Sequence, residues 1–198
     1  MSKLEEIPIP DGELWYHASF FSETDSNRFF TALKSDIDWR QEEILIFGKK
    51  IPQPRLVAWY GDSGISYTYS GLRLLATPWT PSLLQIKQKI ESATGCRFNS
   101  VLLNLYRHGQ DSMSWHSDDE PELGRNPVIA SVSFGGIRRF HLRHKHKQDQ
   151  ARVRLDLAHG SLLIMKGETQ HNWQHQISKT ARNIAPRINL TFRWIEES

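Results

Sequence analysis

The chain has 198 residues, of which 38% are hydrophobic and 11% aromatic, and its formal net charge is +3. That length suits one domain with a continuous core, and the mild basicity permits a polyanionic partner. Cys96 is the only cysteine, which excludes an intramolecular disulfide and a multi-thiolate zinc site and fits a reducing compartment, and no run of about 18 apolar residues predicts a membrane span.

The opening MSKLEEIPIPDGELWY has no apolar segment behind basic residues, so no secretory leader is expected. Ser22 is placed to cap a helix running through Phe29, Phe30 and Leu33 to about Ser35. Thr80-Pro81 opens a second helix, with Pro at its first position, Leu83, Ile86 and Ile90 on one face, and Gly95 as its stop. Helical signals end there. Beyond Arg97, NSVLLNLY, PVIASVSF, RRFHLRHK, VRLDL, SLLIM, HNWQHQI and RINLTFRW read as strands, rich in β-branched or aromatic residues and divided by turn formers. Two helices ahead of many strands predict an α+β, mainly β, domain, with the helices on one face of an antiparallel sandwich or barrel. One domain is expected, with a helical and hairpin part to about residue 95 and a β core from about 96.

In the last strand Ile188, Leu190, Phe192 and Trp194 fall on one face, and Arg187, Asn189, Thr191 and Arg193 on the other. Two arginines and an asparagine in one row are unusual for a merely solvated face. Upstream, SWHSDDEP holds His116 and Asp118 two residues apart, so in an extended segment both point the same way and can reach one ion. Two histidines and one carboxylate on one face of an octahedron are the signature of non-haem Fe(II) oxygenases. The third ligand would come from His141, His144, His146, His159, His171 or His175. His175 lies on the strand before the arginine row and can converge on the same cavity, but His171 shares its parity, so alternation alone does not separate them. His-x-Asp spacing is common in a chain with nine histidines; the combination with the arginine row is what gives it meaning.

Five segments together resemble the AlkB family of Fe(II)- and 2-oxoglutarate-dependent nucleic-acid dealkylases: PRLVAWYGDSGISYTYSG, NSVLLNLYRHGQDSMSWHSDDEPELG, PVIASVSFGGIRRFHLRHK, LAHGSLLIMKGETQHNWQHQI and PRINLTFR. They cover residues 54–193 almost continuously, and the SWHSDDEPELG and WQH stretches look closest to animal and bacterial members acting on methylated DNA and RNA bases. The resemblance implies a double-stranded β-helix (jelly roll) with N-terminal helices packed on it. It also implies that the distal ligand is His175, twelve residues before Arg187, with His171 a neighbour. Asn104 and Tyr106, with Arg187, Asn189 and Arg193, match the family's 2-oxoglutarate pocket. A buried dicarboxylate calls for charge-assisted, preferably bidentate donors, which arginine supplies.

The implied cofactors are Fe(II), 2-oxoglutarate and O2, and the implied reaction is oxidative demethylation of bases such as N1-methyladenine and N3-methylcytosine, releasing aldehyde, succinate and CO2. An RNA demethylase of the same family, or an inactive nucleic-acid-binding jelly roll, are the alternatives. A base attacked on its pairing edge must be flipped out or single-stranded. Tyr67 and Tyr69 match lid positions near that base, and Asp119 and Glu120 match acidic substrate-reading positions suited to a cationic base. Arg138, Arg143 and Lys145 belong to the strongest basic run, expected at phosphates or else a solvated hairpin. Phe47 matches an apolar wedge that fills the gap left by a flipped base, with a core-facing strand residue as its alternative. The expected partner is alkylated DNA, single- or double-stranded, or RNA, without membrane. A monomer in bacterial cytoplasm or a eukaryotic nucleus is expected.

Overall fold

A computed structural model describes residues 3–46, 48–69, 72–147 and 149–196. Strands β1 (Glu5–Ile7) and β2 (Glu13–His17) precede helix α1 (Glu23–Asp36). Six short strands follow: β3 (Glu43–Ile46), β4 (Lys49–Pro52), β5 (Leu56–Gly61), β6 (Ser66–Tyr69), β7 (Leu72–Leu75) and β8 (Thr77–Pro78). Helix α2 (Pro81–Thr94) leads into β9 (Ser100–Tyr106), β10 (Met113–His116), β11 (Ile129–Gly135), β12 (Arg138–His144), β13 (Val153–Leu157) and β14 (Ser161–Lys166). A single helical turn, α3 (Thr169–Asn172), then precedes β15 (Trp173–Ile177) and β16 (Arg187–Arg193).

Both long helices start and stop for local reasons. The Ser22 hydroxyl accepts from the backbone N–H of Asp25, and the Thr80 hydroxyl from that of Leu83, each satisfying an otherwise orphaned donor of the first turn. Gly95 ends α2 at φ 71°, a left-handed conformation that a side chain would strain.

The strands form a large sheet in the order β1-β2-β14-β11-β16-β9-β5-β8, and a small one in the order β10-β15-β12-β13. One core lies between the helices and the large sheet, where Phe29, Leu33, Leu83 and Ile86 meet Leu103, Phe134 and Leu190. A second lies between the sheets, where Leu163 and Met165 meet Phe140, Leu142, Trp173 and Ile177. Each such fully buried side chain contributes on the order of 1.5–3 kcal/mol. The result is a jelly roll with helices on one face. The division expected near residue 95 is crossed by the large sheet, because β1, β2, β5 and β8 come from the first half of the chain. No described helix is long and apolar enough to cross a membrane.

Three local expectations are corrected. Helix does occur late in the chain, as α3 and as a 3-10 turn at Pro121–Leu123. The strand expected from His171 begins at Trp173, so His171 sits on a helical turn. Trp194 falls beyond β16 and is 50% exposed, because the strand ends at Arg193 and the apolar row ends at Phe192.

Candidate metal centre and co-substrate pocket

β10 and β15 run antiparallel, with His116 directly opposite His175, and Asp118 follows two residues beyond the end of β10. Potential ligand atoms of His116, Asp118 and His175 all lie within 4.8 Å of one another. His175 Nε2 is 3.8 Å from Asp118 Oδ2, and the imidazole rings of His116 and His175 are 4.2 Å apart between centres. His116 Nδ1 lies 2.8 Å from the Ser114 carbonyl, which can only accept, so Nδ1 carries the proton and Nε2 is left for an ion.

Charge states suit a metal. Burial pushes the His175 imidazole down to about 3, reinforced by His116 and opposed by Asp118, so the ring is neutral, as a ligand must be. Burial alone would raise the Asp118 carboxyl, but Arg193, His175 and His116 together hold it below the usual carboxylate range. Arg193 Nη2 donates directly to Asp118 Oδ1.

The triad loop is held from below by α3. Gln170, fully buried, accepts the backbone N–H of Asp118 through Oε1 at 2.9 Å. Lys145 Nζ donates to the Gln170 carbonyl and to Asp119 Oδ2, both at 2.9 Å. Other histidines serve elsewhere: His144 Nε2 faces Asp11 Oδ2 at 3.1 Å, and His159 Nδ1 accepts from Gly135 N. His171 is exposed on its helical turn and is not part of the triad cluster.

Beside the triad is a cavity of about 50 Å³, into which Arg187, Asn189, Thr191 and Arg193 of β16 all face. The pleat explains this: Ile188, Leu190 and Phe192 point the other way, into the core beneath the helices. Register sets Arg187 opposite Tyr106 and Asn189 opposite Asn104. Arg187 is 1% exposed, donates Nη2 to Ser133 Oγ at 2.9 Å, and leaves Nε and Nη1 without a hydrogen-bond partner. Arg193 Nε is also unpartnered. Burial lowers Arg187 to about 10, so it remains a cation at neutral pH. Bare buried guanidinium donors are expensive, and a ligand carboxylate satisfies them in charge-assisted pairs. Asn104 Oδ1 accepts from Arg55 Nε at 2.7 Å, leaving its NH2 for the cavity. The Asn189 NH2 is instead committed to Ser131 Oγ at 2.8 Å and the Val132 carbonyl at 2.9 Å. These residues fit a dicarboxylate beside a two-histidine, one-carboxylate metal site.

A larger cavity of about 230 Å³ opens on the other side, lined by Arg55, Trp59, Leu75 and Glu120 among others. The two cavities share Leu102, Met113, His116, Asp118 and Arg193, so they meet at the triad.

The remaining sequence candidates are placed unevenly. Glu120 lines the large cavity, whereas Asp119 is exposed and paired with Lys145. Tyr67 and Tyr69 lie on β6, paired with β7. Phe47 lies outside the described residues. Arg143 is half-buried on the outer face of the small sheet, bonded to Gln174 Oε1 at 2.9 Å and 4.3 Å from the Trp115 ring centre. Arg138 requires correction as a phosphate contact. It is 3% exposed, and its guanidinium is taken up by the carbonyls of His108, Asp111 and Ser178. The inward phase of β12 at Phe140 and Leu142 carries Arg138 inward with them.

Arg55, Gln170, Ser131 and Ser133 are site residues that the sequence reading did not single out. The two serines were legible as alternating polar positions in an apolar strand, IASVSFG. Nothing in the sequence marks Arg55 or Gln170, whose partners lie 49 and 52 positions away.

Comparison with known proteins agrees with this geometry. The profile of the 2OG-Fe(II) oxygenase superfamily matches residues 13–193. "Alpha-ketoglutarate-dependent dioxygenase alkB homolog 3" of Bos taurus is 46% identical over 179 residues, 86% of this chain and 62% of the relative. "DNA oxidative demethylase ALKBH2" of Mus musculus is 41% identical over 184 residues, 88% of this chain and 77% of the relative. The solved structure of OsALKBH1 superposes with a TM-score of 0.67 at 16% identity, covering 96% of this chain and 100% of that one, and shows the same fold. The chain spans about six-tenths of the length of the alkB homolog 3 relatives it matches. The chain belongs to the 2OG-Fe(II) oxygenase superfamily, among the AlkB homologues.

Proposed function

We propose that the chain is an Fe(II)- and 2-oxoglutarate-dependent dioxygenase that demethylates N-alkylated bases in DNA. The observation that carries this reading is the meeting of two cavities at one His-Asp-His triad, one of them with unpartnered buried arginine donors. Iron and 2-oxoglutarate, when bound, supply the oxidation of an N-methyl carbon by O2, with loss of succinate, CO2 and formaldehyde.

The chain's own residues supply binding and orientation. His116, Asp118 and His175 would hold the metal, at the place where the two cavities meet. Arg193 touches Asp118, so it would take the carboxylate on the triad side of the cavity; Arg187, six residues along β16, would take the far one. Asn104 and Tyr106 stand opposite Asn189 and Arg187 and complete the small cavity. The damaged base enters the larger cavity, where Trp59 offers an aromatic face and Glu120 favours a cationic ring. Relatives carry the words "DNA oxidative demethylase" in their names, which supports DNA as the polymer. In this reading the chain acts as a monomer wherever DNA is kept: bacterial cytoplasm or a eukaryotic nucleus.

The test is loss of the methyl group, by mass spectrometry, from N1-methyladenine and N3-methylcytosine in single- and double-stranded DNA and in RNA of matched sequence. The expected result is methyl loss from DNA that requires Fe(II) and 2-oxoglutarate. Succinate formation with every DNA left methylated would overturn the substrate assignment.

A further inference from the structure

We infer that Arg138 is a positioning residue for the 2-oxoglutarate pocket: it ties the β9–β10 loop and the end of β15 to β12, and so fixes Tyr106 against Arg187. This rests on the reading of the small cavity as the dicarboxylate site.

Arg138 lies in a strongly basic stretch, yet none of its charge reaches the surface. Its Nη1 donates to the His108 carbonyl at 3.3 Å, and its Nη2 to those of Asp111 at 2.9 Å and Ser178 at 2.6 Å. The Gly109 carbonyl stands at 3.5 Å from Nη2. His108, Gly109 and Asp111 belong to the loop that joins Tyr106, a pocket residue, to the strand of His116. Ser178 directly follows Ile177, at the far end of the strand that carries His175. One planar guanidinium thus ties two segments that each lead to the site, the β9–β10 loop and the end of β15, to its own strand, a task for several donors in a rigid plane rather than for a single ammonium.

The same guanidinium lies 5.6 Å from the Tyr106 ring centre, and that of Arg187 lies 5.2 Å from it. Tyr106, 3% exposed, is therefore held between two buried cations and the loop that Arg138 anchors. The groups facing Arg138 are Tyr106, Arg187 and Asp111, and Asp111 is already paired with Arg107 at 2.8 Å. Two buried cations near one phenol repel each other, and burial disfavours both. Of the two, Arg187 lines the cavity, as does the Tyr106 ring between them, so a dianion there would offset the charge of Arg187 directly and that of Arg138 from across the ring.

The experiment uses the full chain loaded with Mn(II), without nucleic acid, and measures 2-oxoglutarate binding by calorimetry together with the melting temperature. Arg138→Met is expected to weaken 2-oxoglutarate about 10- to 100-fold, on the scale of what losing an outer partner costs at a metal site, with Mn(II) affinity unchanged. Arg138→Lys keeps the charge but not the set of carbonyl bonds, and is expected to fall between Met and wild type. It carries the test alone if the Met variant does not fold. Arg139→Met, next on the strand and paired at the surface with Asp156, should bind as wild type does. A lowered melting temperature with unaltered 2-oxoglutarate affinity in both Arg138 variants would overturn the proposal and leave Arg138 a brace of the fold. Wild-type protein that binds no 2-oxoglutarate would instead overturn the reading of the pocket itself.

Discussion

Arg55 Nε donates to Asn104 Oδ1 at 2.7 Å, and that bond joins the two cavities that meet at the triad. Arg55 lines the larger one and Asn104 the smaller, so under the proposed function the bond would link the base cavity to the co-substrate cavity. Arg55 is 7% exposed and makes a second bond, from Nη1 to the Ser112 carbonyl at 3.4 Å, which ties it to the loop before β10.

Arg55→Met is therefore expected to raise the KM for both 2-oxoglutarate and the methylated oligonucleotide. Loss of a buried charge-assisted bond is worth about 1.5–3 kcal/mol, or roughly 10- to 150-fold, shared between the two. Steady-state kinetics with each substrate varied in turn checks this. A rise confined to the oligonucleotide would mean that the Asn104 bond does not transmit the change.

Gln170→Leu removes the acceptor for the Asp118 backbone N–H without touching a ligand atom. Metal affinity should fall about 10- to 100-fold, as it does when the outer support of a ligand is lost. Titration with Mn(II), followed by calorimetry, reads the loss directly. Gln170→Glu retains the acceptor and should recover most of the affinity.

The stability of the metal-free protein should fall as pH drops from about 6.5 towards about 3. The folded His175 imidazole is held down to about 3, chiefly by burial, while the unfolded one titrates near its usual value of about 6.5. Between those values the unfolded chain binds the extra proton, so acid favours unfolding, with a slope of up to about one proton. Urea midpoints across that range check the sign. His175→Phe should flatten the dependence; an unchanged slope in that variant would assign it to other groups.

Lys145 and Asp119 form a pair whose side chains are 20% and 46% exposed. A double-mutant cycle with alanine at each should give a coupling of about 0.2–1 kcal/mol, and less at high salt. Lys145→Ala alone should weaken metal binding slightly, because Lys145 also holds the Gln170 carbonyl beneath the triad loop. An effect on oligonucleotide binding alone would place Lys145 at phosphate instead.

Much of the jelly roll was legible because its strands carry strong local patterns. The alternation in β16 alone puts Arg187, Asn189 and Arg193 in one row, and all three line the small cavity. The caps at Ser22 and Thr80 and the stop at Gly95 lie where side-chain chemistry puts them. What stayed hidden depends on distant neighbours. α3 is a single turn of four residues, too short for a periodic signal, and its presence takes His171 off the strand of His175. Arg138 reads as surface charge in a basic run; only the inward phase of β12 and the carbonyls of a loop 27–30 positions away make it a buried residue. Charge in a sequence does not say which way its side chain points.

The most direct test of the account is the ratio of succinate to formaldehyde when oxygen is admitted to wild-type protein holding Fe(II), 2-oxoglutarate and single-stranded DNA bearing N1-methyladenine. Two cavities that share one triad predict one formaldehyde for each succinate, with little of either from unmethylated DNA and none from Asp118→Ala. Equal succinate from methylated and unmethylated DNA, without formaldehyde, would contradict the claim that the larger cavity receives the methylated base.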